Sequence, residues 1–284
     1  MKMNRLQHIC HGIGDLIITT SFPENFYKIT GEKVLVDDYK AKWVFKYNPY
    51  VVFDYKSHDI QNIPMMIEAR YPDLVEKYIK DKNTFSISSQ AEWIMYCVGL
   101  DTDKITIRHP RLYIHEDLKQ KPKKLTVHTT GSNRSLVGEE QIRYNLGEDA
   151  ERIMSDEVIE TILNNYKDWE IYQVGGEDDK PLGGNSIDLR GKLDLYEVAR
   201  EIASSQRFIG VVSGLMHMAN AYPNVEKRIV LMEFPDSTLR KGFQSIPLRP
   251  GELRNRMFAW LDPSNTFYNK YKIDMGVTCS YLKL

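Results

Sequence analysis

Short apolar runs alternate along the chain with longer segments of helical spacing. Residues 6–10 (LQHIC), 33–37 (KVLVD) and 51–54 (VVFD) read as strands, and a helix begins at 15–20. Apolar residues at helical spacing recur over 71–80 and 90–98. Short strands alternating with helices predict a parallel sheet covered on both faces. The stretch HEDLKQKPKK at 115–124 interrupts this pattern with charge and one proline, and reads as an interdomain linker whose basic cluster at 119–124 is solvated. Beyond it the alternation restarts with a strand at 125–128, a polar loop, a helix around 156–166 and a strand at 169–174 ending in Gly175-Gly176. An amphipathic helix at 195–204, a buried strand at 208–212, a helix from Ser213-Gly214 through Ala221 and a strand at 228–234 follow. Two αβα halves are expected, each with its ligand at the carboxyl ends of the strands.

Composition adds exclusions. A length of 284 residues suits two α/β domains of ordinary size. With 42% hydrophobic and 27% charged residues the chain is of soluble globular type, and no apolar run approaches the ~20 residues a membrane-spanning helix needs. The 38 basic and 39 acidic residues leave a net charge of −1, so no overall field holds the chain on nucleic acid or an anionic membrane. Peripheral membrane contact through a local patch stays open. Cys10, Cys97 and Cys279 are scattered without CxxC spacing, which excludes a disulfide framework and a zinc knuckle and leaves free thiols. The start MKMNRLQHICHGIGD lacks the apolar core of a secretory signal, so a cytoplasmic location is expected.

Three motifs carry candidate chemistry. His11-Gly12-Ile13-Gly14-Asp15 lies between an apolar strand and a helix, where glycines permit close backbone approach and the helix start offers free amides. It lacks the third glycine of a dinucleotide fingerprint. Asp15 is either a general base or a carboxylate stabilising the helix dipole by ~0.3–1 kcal/mol. The loop 129–135 (TTGSNRS) offers hydroxyls, amides and the guanidinium of Arg134, a set that suits a diphosphate; an ordinary polar turn is the alternative. In 211–219 (VVSGLMHMA) a strand, a small-residue turn and a helix aim the amides near Ser213, Gly214 and Leu215 at a phosphate, with His217 either a ligand or a hydrogen-bonded core residue.

In combination these segments resemble glycosyltransferase family 9, the ADP-heptose:lipopolysaccharide heptosyltransferases. GIGDLIITTSFP is similar to the family's opening segment, and DLRGKLDLYEVAREIASSQRFIGVVSGLMHMANAYP to its signature of helix, buried strand and D-[ST]-G-x-x-H-[LM]-A turn. HTTGSNRS, VGGED and Phe234-Pro235-Asp236-Ser237 fall in the matching order. The resemblance covers most of the second half and about the first twenty residues. It implies a GT-B fold of two Rossmann-like domains facing each other across a cleft: an acceptor domain at 1–116, a nucleotide-sugar donor domain at 121–254, and a segment at 255–284 packing back across the junction. It further implies inverting, metal-independent transfer of a sugar from a nucleotide diphosphate donor to a hydroxyl of a bacterial glycan or another acceptor. Asp15 then becomes the base, with His11, Gly12 and Gly14 in the acceptor-side loop. Thr130, Arg134, Glu177, Ser213, Gly214, Leu215 and His217 become donor contacts. Val212 stands where the family signature has an aspartate, which implies a different donor or a partial loss of function.

No metal ligand set and no cofactor is expected besides the nucleotide-sugar co-substrate. The competing functions are a non-catalytic sugar-nucleotide-binding protein, suggested by Val212, and a nucleotide-sugar epimerase on the same fold. The partners expected are the donor and a glycan or lipopolysaccharide-type acceptor. A nucleic-acid acceptor is disfavoured by the balanced charge and the lack of a basic-aromatic track.

Overall fold

The structure, a computed structural model, describes residues 3–7, 13–36, 42–53, 60–64, 72–82, 90–107, 109–114, 116–131, 153–154, 156–211 and 213–230. The chain divides into two compact units, the described residues of the first ending at Tyr113 and those of the second beginning at Ile114. The expected segment at 255–284 lies outside the described residues.

The first unit runs β1 (Met3–Gln7), α1 (Ile13–Ile18), a single 3₁₀ turn (Thr19–Ser21), α2 (Phe22–Thr30), β2 (Val34–Leu35), α3 (Lys42–Phe45), β3 (Val51–Val52), β4 (Ile60–Pro64), α4 (Pro72–Asp81) and α5 (Gln90–Cys97). Its sheet is parallel with the order β3-β2-β1-β4. Leu6, Ile17, Phe22, Val34, Phe45 and Trp93 are fully buried around it. Burying an aromatic or aliphatic side chain of this size contributes roughly 1.5–3 kcal/mol, which is what holds such short strands in place. The second unit runs β5 (Lys121–His128), α6 (Asp156–Asn165), β6 (Glu170–Gln173), β7 (Ile187–Asp188), α7 (Leu195–Ala203), β8 (Ser205–Val211), α8 (Gly214–Asn220) and β9 (Glu226–Val230). Its sheet is also parallel, in the order β7-β6-β5-β8-β9. Leu125 and Val127 of β5, Ile171 of β6, Ile209 and Val211 of β8 and Ile162 of α6 share its core. Asp194 caps α7 reciprocally with Glu197, which accounts for its sharp start.

Both sheets obey one winding rule. From its first strand the chain passes to two neighbours on one side, and the fourth strand then lies on the other side of the first. Each sheet therefore reverses direction once, between β1 and β4 and between β5 and β8. Ligands of open α/β sheets bind outside the strand carboxyl ends at such a reversal.

One local expectation changes, and two elements form that the apolar pattern does not announce. The charged stretch before residue 125 is not wholly linker, because β5 begins at Lys121. The Lys121 amide donates to the Ser204 carbonyl, and the register with β8 shifts between Lys121 and Leu125 at a bulge where Lys123 takes φ 54°. Lys124 is buried, its ammonium held by Glu201 at 2.7 Å and the Ser204 hydroxyl at 2.8 Å over the face of Tyr172. Pairing is what allows this lysine inside. The first of these elements is α2, which follows the 3₁₀ turn. In that turn Thr19 and Thr20 donate to the α1 carbonyls of Leu16 and Ile17, and the proline occupies the first turn of α2, where its missing N–H costs no helical bond. The other is β4, formed from IQNIP, which lacks strand alternation; its register against β1 over five residues supplies the order through the backbone.

Candidate functional site

The reversal point of the second sheet is built from the ends of three strands. His128 is the last residue of β5 and faces Gly210 across the ladder to β8. Ser213 follows β8 and caps α8, its Oγ accepting the Met216 amide at 3.4 Å. The Ser213 hydroxyl meets His128 Nδ1 at 3.1 Å. On the other side of the ring, His128 Nε2 lies 3.2 Å from Asp179 Oδ2, supplied by the loop between β6 and β7. His128 and Asp179 are 4% and 9% exposed, and Ser213 is half-buried at the rim.

This cluster is tightly supported. Gly175 takes φ +140°, and a Cβ there would stand 2.0 Å from Asp179 Oδ2 and 3.0 Å from His128 Cδ2. The position is closed to side chains on both grounds. The Gly176 amide donates to Asp179 Oδ2 at 2.9 Å. Buried Gln173 uses both ends of its amide: Nε2 donates to the Lys180 carbonyl at 2.7 Å and to Thr129 Oγ1 at 3.1 Å, while Oε1 accepts the Leu182 amide at 2.6 Å. Thr129 donates to the Lys180 carbonyl at 2.6 Å, and Thr130 Oγ1 accepts the Lys180 amide at 2.9 Å. Arg190 donates to the Asp179 carbonyl and grips the Asp188 carboxylate at 2.8 and 2.9 Å. Hydrogen bonds from the Arg190 side chain, then from its backbone, pull the Asp188 carboxyl down to about 2. The DLRG stretch thus anchors the loop that carries Asp179. The Gly191 amide ties back to the Gly175 carbonyl at 2.9 Å.

Of the candidate donor residues, Thr130 follows β5, Ser213 caps α8, and Gly214 and Leu215 open it; all four are half-buried at this edge. Glu177 is exposed on the Asp179 loop, with its Cβ against Gly191. His217 lies in the body of α8 and is 9% exposed, the placement of a core histidine. Arg134 and Val212, and the loop at 234–237, lie outside the described residues. In the first unit, Gly14 and Asp15 are the second and third residues of α1, the helix after β1, and so follow the reversal point of that sheet. The Asp15 side chain, His11 and Gly12 lie outside what is described.

His128 and Asp179 are the residues that reading the sequence overlooked. His128 heads the HTTGSNRS loop and Asp179 ends VGGEDD, but nothing in their spacing links positions fifty residues apart. The available signal was positional: histidine, aspartate and serine each follow a strand of the same half.

Among the described residues no group of three or more His, Cys, Asp or Glu is placed to hold a metal ion, and no helix is long and apolar enough to cross a membrane.

Solved structures similar to this chain include glycosyltransferases, a heptosyltransferase among them. The dodecameric iron-containing glycosyltransferase TibC from enterotoxigenic E. coli H10407 matches with TM-score 0.55 at 13% identity, over 81% of this chain and 59% of TibC. The chain thus spans under two thirds of that protein's length. A family 9 glycosyltransferase from Veillonella parvula matches with TM-score 0.46 at 13% identity, over 88% of this chain and 91% of that one. E. coli heptosyltransferase WaaC with ADP matches with TM-score 0.48 at 13% identity, over 81% and 87%. The fold is that of TibC. No family model and no curated protein matches the sequence.

Proposed function

We propose that the protein is a glycosyltransferase that moves a sugar from a nucleoside diphosphate to an acceptor hydroxyl, using the two units in a GT-B arrangement. The observation that carries this reading is the polar cluster at the reversal point of the second sheet, where Ser213, His128 and Asp179 meet at the ends of three parallel strands. That is where an α/β sheet holds a nucleotide. The fold shared with TibC supports it.

In this reading the donor diphosphate lies against Thr130, Arg134 and the Ser213-Gly214-Leu215 turn, with Glu177 toward the nucleoside. Asp15 takes the proton of the acceptor hydroxyl as that oxygen attacks the anomeric carbon. The new C–O bond forms on the face opposite the leaving group, so configuration inverts, and the bond to the diphosphate breaks with its electron pair leaving on phosphate oxygen. Fixed donors and the Arg134 charge stabilise that oxygen, and the transfer is metal-independent. The acceptor is a bacterial glycan or lipopolysaccharide-type hydroxyl. The name of TibC includes iron, and that is a property of TibC.

A screen of ADP-heptose and of ADP-, GDP-, UDP- and CMP-hexoses, with and without EDTA, tests the reading when products are identified by mass spectrometry and the new anomeric centre by NMR. Transfer with inversion that survives EDTA is expected. Donor binding without transfer to a broad acceptor panel would replace the reading with a sugar-nucleotide-binding protein. Conversion of donor without acceptor would replace it with an epimerase.

A further inference from the structure

We infer that His128 is a positioning residue whose protonation turns the Ser213 hydroxyl away from the protein and toward a bound diphosphate. This rests on the donor placement proposed above. The hydrogen-bond pattern sets the resting state. An ionised carboxylate only accepts, so Asp179 Oδ2, which takes the Gly176 amide at 2.9 Å, requires the hydrogen on His128 Nε2 at 3.2 Å. The neutral ring then presents a bare Nδ1, and the Ser213 hydroxyl at 3.1 Å donates into it. The Ser213 oxygen meanwhile accepts the Met216 amide. In this state its one proton is committed to the ring.

Adding a proton to Nδ1 reverses the bond. The ring donates, Ser213 Oγ accepts, and the hydroxyl proton is released to an anion at the rim. Serine there is half-buried while the ring beneath it is buried, so the hydroxyl is the member of the set that can reach a ligand. The imidazolium so formed stays paired with Asp179, which bears its charge in a buried setting. Among the described residues the groups around the ring are few. From the β8 side it meets Gly210 and Ser213; from the β6 side, Gly175 and Asp179. Beyond these, Arg190 is engaged by the Asp188 carboxylate and the Asp179 carbonyl, and Lys180 by Asp156 and the Met154 carbonyl. Glu177 and Asp178 are exposed on the same loop. A diphosphate favours the protonated ring, so binding and proton uptake are linked and each promotes the other. A developing negative charge on the leaving group favours it further.

The test is calorimetry of ADP binding to the full chain at pH 7.5, in buffers of different ionisation enthalpy, for the wild type, His128→Gln and Asp179→Asn, with melting curves for each. The wild type should take up a fraction of a proton per ADP and bind about three- to tenfold tighter at pH 6.5 than at pH 8, relative to His128→Gln. Protonation of ADP itself is common to all three proteins and cancels in the comparison. His128→Gln should show no protein-dependent uptake, and Asp179→Asn should show less than the wild type. Equal uptake and equal pH profiles in the wild type and His128→Gln would overturn the inference while leaving the donor site intact. Should His128→Gln fail to fold, undiminished uptake in Asp179→Asn overturns it. If neither ADP nor GDP, UDP or CDP binds the wild type, the donor reading falls and this one with it.

Discussion

The two sheets have the same winding and different endings. At the first reversal point the described residues near α1 turn their polarity inward. Leu16, Ile17 and Ile18 are buried, and Thr19 and Thr20 spend their hydroxyl protons on carbonyls of α1. Thr20 also accepts the Arg111 amide at 2.8 Å, and Asn25 binds the backbone of Thr106 and Ile107, so these groups stitch the end of the unit to its first helices. At the second reversal point the polar groups meet one another across strand ends, with serine at the rim. Topology supplies two equivalent places; side chains give them different work. In the proposed reading the second holds the donor's diphosphate and the first carries Asp15 as the base.

That division makes unequal demands on substitution. Asp15→Asn keeps size and much of the capping ability, so it should lower turnover by ~10²–10⁴-fold while the melting temperature and donor affinity stay near wild type. A normal kcat with a lowered melting temperature would reduce Asp15 to a dipole-stabilising group and remove chemistry from the first sheet.

Arg134→Ala should weaken nucleoside diphosphate binding by ~1.5–3 kcal/mol, the range for charge-assisted hydrogen bonds, as read by calorimetry. Unchanged affinity would take Arg134 out of the site. Gly175→Ala acts on the second sheet through packing. A Cβ cannot coexist with the Asp179 carboxylate there, so stability should fall by roughly 1–3 kcal/mol in denaturant melts, and donor affinity should fall with the loss of the His128–Asp179 pair.

The smallest effect concerns Asp188. Its folded-state pKa is depressed to about 2 by Arg190, so its contribution is present above the unfolded carboxylate range and is lost as pH falls through about 4 toward 2. Arg190 is mostly buried but the Asp188 carboxylate is nearly half exposed, so solvent screens the pair and Asp188→Asn should change the acid limb of a stability profile only slightly. A large loss at neutral pH would show that the DLRG anchor does more than hold the loop.

Much of this molecule can be read from the chain. The buried strands of the second half and the Ser213 turn follow from apolar runs bounded by small residues. What escaped has physical causes. β4 is ordered by its neighbour rather than by its own composition, and α2 is ordered by the burial of Phe22 and Phe26. Lys124 reads as solvated because a buried lysine is recognisable only once Glu201 and Ser204, far along the chain, are known to face it. The glycine pair at 175–176 reads as a turn, and its purpose, room for a carboxylate and an imidazole, exists only in three dimensions. His128 and Asp179 were invisible for the same reason.

The claim that the two sheets divide the labour is tested most directly by ADP affinity in two variants measured side by side. Ser213→Ala should bind ADP about tenfold or more weakly, while Asp15→Asn binds it as the wild type does. Loss of affinity in Asp15→Asn with none in Ser213→Ala would place the nucleotide on the first sheet and contradict the account.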